Sequence, residues 1–138
     1  MVELERETFA PSVLRDGRSV TIRPLDELDR RSLLAFGRAL PHGDLLYLAD
    51  DLSNPEMIAR LINARFAEHW RQLVAVVGDQ IIGYGALRRL PGWSQHVANI
   101  TLSVSAGWRR YGLGTALAQA LVDAARDLQI DKRILWTS

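Results

Sequence analysis

The chain has no cysteine, which excludes disulfides, thiol nucleophiles and thiolate-held metals. Its three histidines, His42, His69 and His96, are scattered without metal-ligand spacing, so no metal is expected. No apolar run approaches the length of a membrane span, and the first residues are acidic, unlike a secretory leader. Charge of one sign is also lacking. The net charge is +1 and no basic block occurs, so neither nucleic acid nor a membrane surface is an expected partner. These absences point to a cytoplasmic protein. What remains is ordinary for a globular chain: 138 residues, 48% hydrophobic and 24% charged. That bounds the chain to a single domain over residues 1–138, large enough for one core.

Periodicity organises the chain. Residues 1–18 read as a polar, irregular, loosely held lead-in. Residues 20–25 alternate apolar and polar, a short strand closed by Pro24. Asp26 or Asp29 is placed to cap a helix over 28–40, with Leu33, Leu34, Phe36 and Leu40 as its apolar face. Asn54-Pro55-Glu56 opens a second helix to about 68, with Ile58, Leu61, Ile62 and Phe66 on one side. Residues 72–77 and 80–90 form a hairpin around Gly78-Asp79, and 97–105 is the next strand. A long helix follows to about 129, carrying the stripe Leu113, Leu117, Leu121, Ala124 and Leu128. A last strand spans 133–137.

The chemistry-bearing stretch begins at Leu102: Leu-Ser-Val-Ser-Ala-Gly-Trp-Arg-Arg-Tyr-Gly-Leu-Gly-Thr. A strand, a short turn and then Gly112 and Gly114 open the long helix. Helix N-termini carry unpaired N–H groups and positive partial charge, and glycines let a phosphate reach them without meeting a Cβ. Arg109 and Arg110 add positive charge. A dinucleotide fingerprint fails because Leu117 stands where its third glycine belongs, and no Walker string exists.

Arg109-x-x-Gly112-x-Gly114, five residues after Val104, resembles the acyl-CoA-binding motif of the GNAT superfamily of N-acyltransferases. The element order over residues 20–138 is also similar to that family. The resemblance implies an α+β fold with a central mixed, mostly antiparallel sheet flanked by helices, C-terminally incomplete because the chain stops before the family's following helix and last strands. It implies acetyl-CoA as co-substrate, transferred to a small-molecule or protein amine. Leu102, Ser103 and Val104 would hold pantetheine, and Arg109, Arg110, Tyr111, Gly112, Leu113, Gly114 and Thr115 would wrap the pyrophosphate. Arg109 acts either through its backbone or as a solvated side chain, and Thr115 is either a hydroxyl donor or a capping aid.

Where the family often has a glutamate, this chain has Asn99, which cannot act as a base but can hold a water. His96, just before that strand, is the other candidate for catalysis. The family's usual tyrosine acid has no counterpart, since Tyr47, Tyr84 and Tyr111 sit on other elements. Acceptor residues are expected from two loops, one with His42, Asp44, Tyr47, Asp50 and Asp51, the other with Trp93, Ser94, Gln95 and His96. A strand 133–137 at an open sheet edge leads to an expected homodimer or a partner chain covering it. The competing reading is an acyl-CoA-binding module with little or no catalysis, completed by a partner chain.

Overall fold

In the computed structural model the described residues are 11–13, 17–40, 51–67, 70–89, 97–109, 112–124 and 133–137. Six strands form one sheet in sequence order: β1 (Pro11–Val13), β2 (Ser19–Pro24), β3 (Trp70–Val77), β4 (Gln80–Arg89), β5 (Val97–Val104) and β6 (Arg133–Thr137). Neighbours are antiparallel except β5 and β6, which run parallel. Helices α1 (Arg30–Ala39) and α2 (Pro55–Asn63) connect β2 to β3, and α3 (Leu113–Ala124) lies between β5 and β6. The mixed, mostly antiparallel sheet expected from the sequence is therefore present.

Local chemistry explains the boundaries. Before α1, Asp26 accepts a hydrogen bond from the Leu28 amide at 3.0 Å. The Asp29 carboxylate in turn accepts from the Asp26 amide at 2.8 Å, a capping box around the 3-10 turn Glu27–Asp29. Both aspartates named as capping candidates thus take part. Arg23, reaching from β2, grips both Asp29 oxygens at 2.7 and 2.8 Å. Burial alone would raise the Asp29 carboxyl, but the hydrogen bonds from Arg23 and the Asp26 amide outweigh it and hold the group below its ordinary value. At α2, the Asn54 side chain accepts from the Glu56 amide at 2.9 Å, and Pro55 occupies the first turn.

The sheet separates two cores. On one face α3 sets Leu113, Leu117 and Leu121 against Val20, Ile22, Leu73, Ala75, Ile82, Leu87 and Ile100. On the other, α1 and α2 bring Leu33, Phe36, Ile58, Leu61 and Ile62 onto Val74, Ile81, Tyr84 and Ala86. A bulge in β4 lets both faces stay apolar: Ala75 lies opposite Gly83 and Val76 opposite Ile81, leaving Ile82 as the extra residue. Close approach of α3 depends on β4 glycines. A Cβ on Gly83 would sit 3.0 Å from Leu117 Cδ1, and one on Gly85 would sit 2.9 Å from Leu121 Cδ1.

Three expectations need correction. Part of the lead-in is structured, since residues 11–13 pair with 19–21 as β1, a three-residue strand too short to show alternation. Phe66 does not join the α2 face but is 80% exposed, because the α-helix ends at Asn63 and a 3-10 turn over Ala64–Phe66 rotates it outward. Ala124 is exposed rather than part of the α3 stripe, which is buried at Leu113, Leu117 and Leu121. Leu128 lies outside the described residues.

Candidate active site

The junction of β5 and α3 is built from strand, turn and helix start. At the end of β5 the Ser105 amide donates to the Ile82 carbonyl at 2.8 Å, and the chain turns through Ala106–Trp108. Arg18, just before β2, braces that turn, with its guanidinium carbon 3.8 Å from the Trp108 ring centroid. Gly112 has φ of 90°, a left-handed conformation that glycine adopts without Cβ strain. Its carbonyl accepts the Ala116 amide at 3.0 Å, the first helical hydrogen bond of α3. The amides of Leu113, Gly114 and Thr115 therefore belong to the first turn, where no intrahelical acceptor exists. A Cβ built on Gly114 meets nothing within 4 Å among the described residues, so none of them crowds that side of the first turn. That combination fits an anionic phosphate.

Backbone alternation defines the adjoining strand edge. Val104 pairs opposite Gly83, and the Ser105 amide bonds Ile82, so the amides of Ser103 and Ser105 face β4. Those of Leu102 and Val104 consequently face the other way. In the described residues β6 is in register with β5 from Val97 to Thr101. At Val104 the outward carbonyl accepts instead from Arg109 Nε at 3.0 Å. The Arg109 side chain thus ties the loop to the strand end, a use that neither sequence alternative named.

Leu102, Ser103, Val104, Arg109, Gly112, Leu113, Gly114 and Thr115 are brought together here. Leu113 is 1% exposed within the α3 core, so only its backbone is available to a ligand. Arg110, Tyr111, His96 and the other loop residues named above, Asp51 apart, lie outside the described residues, as do His42 and His69. Among the described residues no group of three or more metal-ligating side chains occurs. Among them, too, no helix is long and apolar enough to cross a membrane.

On the opposite, α1–α2 face, cross-strand rows assemble polar groups that sequence reasoning had only partly found. Trp70, Arg88 and Asn99 lie abreast on β3, β4 and β5, followed by Gln72, Ala86 and Thr101, then Val74, Tyr84 and Ser103. Gln72 is 7% exposed, and neither atom of its amide has a hydrogen-bond partner. The Asn99 side-chain oxygen is also buried without one. Arg88 stacks its guanidinium 4.8 Å from the Trp70 ring centroid. The available signal was Gln72 itself, a polar residue opening the otherwise apolar run 72–77. Further along, a groove of about 400 Å³ between α1 and the β3–β4 hairpin is bordered by Asp79 and Ser105.

Comparison with known proteins agrees with this architecture. The model of the acetyltransferase (GNAT) family matches residues 34–138. The fold is similar to the GNAT domain of S. lividans PAT, with a TM-score of 0.77 at 20% identity, covering 88% of this chain and 74% of that one. A predicted acetyltransferase from Clostridium acetobutylicum, solved with acetyl-CoA, gives a TM-score of 0.64 at 18% identity over 86% of this chain and 80% of its own. The ribosomal-protein-S5-alanine acetyltransferase of Vibrio fischeri gives 0.66 at 13% identity over 86% and 69%. No curated protein sequence matches the chain. The motif at the start of α3, the strand order around it and a family match over most of the chain converge: this chain belongs to the GNAT acetyltransferase family of enzymes.

Proposed function

We propose that the chain transfers an acetyl group from acetyl-CoA to a primary amine by direct attack on the thioester. The observation that carries the reading is the side of Gly114 that no described residue crowds, next to three first-turn amides and the left-handed Gly112. The pyrophosphate docks on the amides of Leu113, Gly114 and Thr115, where the helix dipole favours negative charge. Pantetheine lies along residues 102–104, meeting the outward amides of Leu102 and Val104. One of these donates to the thioester oxygen as negative charge develops there.

The amine nitrogen attacks the carbonyl carbon, the C–S bond breaks, and the thiolate leaves and takes up a proton. An ammonium acceptor must first lose a proton. Asn99 cannot remove it, but its buried side-chain oxygen can accept a hydrogen bond from the amine or from a water that carries the proton away. His96 remains the proposed general base. The unionisable side chain at Asn99 also favours a second reading, an acyl-CoA-binding module with little catalysis. The acceptor is a small-molecule or protein amine, and the working compartment is the cytoplasm.

Thermal shift with acetyl-CoA, CoA and ATP tests the donor site. Stabilisation by the first two alone is expected, whereas no shift with either removes both readings. Thiol release from acetyl-CoA over a panel of amines then separates enzyme from module.

A further inference from the structure

On the α1–α2 face of the sheet, Ala86 is the smallest side chain in a field of larger ones. It is flanked by Gln72 on β3 and Thr101 on β5, and by Tyr84 and Arg88 two residues away along β4. Strands lie about 4.8 Å apart and alternate residues about 7 Å apart. Diagonal neighbours such as Arg88 and Thr101, or Arg88 and Gln72, are therefore separated by about 7–8 Å, with the short, buried side chain of Ala86 between them. Three features in this small area want a ligand. The Gln72 amide is more than nine-tenths buried and has no hydrogen-bond partner on either atom. Asn99, abreast of Arg88, leaves its buried oxygen unbonded. Arg88 is half-buried and stacked on Trp70, with no carboxylate partner among the described residues.

We propose that Arg88, with Gln72 and Asn99, forms a subsite for a carboxylate carried by the amine acceptor, which makes the acceptor a small aminocarboxylate. This inference rests on the acetyltransferase reading above and adds the acceptor's chemical class to it. A guanidinium offers two parallel donors that match the two oxygens of a carboxylate, and stacking on Trp70 holds its plane. The Gln72 amide nitrogen supplies a further donor to the anion, and its oxygen accepts from the acceptor's polar hydrogens. Asn99 on β5 takes a hydrogen bond from the amine itself. Arg88 and Asn99 stand directly opposite, about 4.5–5.5 Å apart at their Cβ atoms. The carboxylate and the amine are thus held by neighbouring side chains, which suits an acceptor with one or two carbons between nitrogen and carboxylate.

The test uses the full chain with CoA present and two probes of the same shape, N-acetylglycine and its neutral amide N-acetylglycinamide, titrated by calorimetry. The wild type is expected to bind the carboxylate at least about tenfold more tightly. Arg88→Gln abolishes that preference, Arg88→Lys recovers part of it, and Gln72→Leu weakens N-acetylglycine severalfold. Melting temperatures establish that each variant is folded; should Arg88→Gln unfold, Arg88→Lys and Gln72→Leu decide the question in its place. Equal affinity for the two probes, no binding of either, or a preference unchanged in the Arg88 and Gln72 variants overturns the proposal. A parallel CoA titration without probes reports on the donor reading alone, so the failure of one is distinguishable from the failure of the other.

Discussion

At the scale of single residues, the Arg23–Asp29 pair has the clearest thermodynamic consequence. The Asp29 side chain is 9% exposed and that of Arg23 31%, so the pair is shielded on one side only. Asp29 is held below its ordinary value in the folded state, so the folded protein resists protonation more than the unfolded chain. Its contribution is complete above the unfolded carboxylate value of about 4 and is lost as pH falls through the lower folded value. Urea-unfolding midpoints should therefore decline as the solution is acidified below about pH 4. Asp29→Asn should flatten that decline and cost about 1–3 kcal/mol at neutral pH, since it leaves a partly buried guanidinium and the Asp26 amide poorly matched. Arg109 is a second case of a side chain working within the fold. Its bond to the Val104 carbonyl fixes the loop from which the helix starts.

At the scale of elements, the start of α3 makes a two-sided prediction. Gly114→Ala places a methyl group where no described residue lies within 4 Å, and it exchanges a poor helix former for the best one. The free protein should melt higher, by about 0.5–1 kcal/mol of stability, while CoA affinity falls by an order of magnitude or more in calorimetric titration. Unchanged affinity would mean that phosphate does not pass Gly114. Much of this region was legible in the sequence because its signals are local. Asn54-Pro55, Gly78-Asp79 and Gly112-x-Gly114 each specify a backbone event within a few residues. Phe66 and Ala124 were misread because periodicity extrapolates past a helix end or a stripe's limit, and neither helix announces that point in composition. Trp70, Gln72 and Arg88 were missed for a different reason. They meet only through the register of β3 and β4, which no short window of sequence contains.

At the scale of the whole molecule, both cores share the strands β3 and β4, so lost packing on one face weakens the sheet on which the other face also rests. Leu33 on α1 and Leu117 on α3 are both fully buried, on opposite faces. Leu33→Ala and Leu117→Ala should each cost about 2–5 kcal/mol, and circular dichroism and tryptophan fluorescence should report coincident transitions in each variant. Separate transitions would mean that the two faces are independent cooperative units. The glycines of β4 give this arrangement a further consequence. Leu113 and Leu117 rest over Gly83, and a Cβ there would stand 3.5 Å from Leu113 Cδ2 and 3.0 Å from Leu117 Cδ1. Position 83 thus acts as a gauge block beneath the first turn of α3. Adding one methyl group would raise the helix mouth by a few tenths of an ångström, and would retune the grip on an anion from beneath the helix without altering any group that touches it.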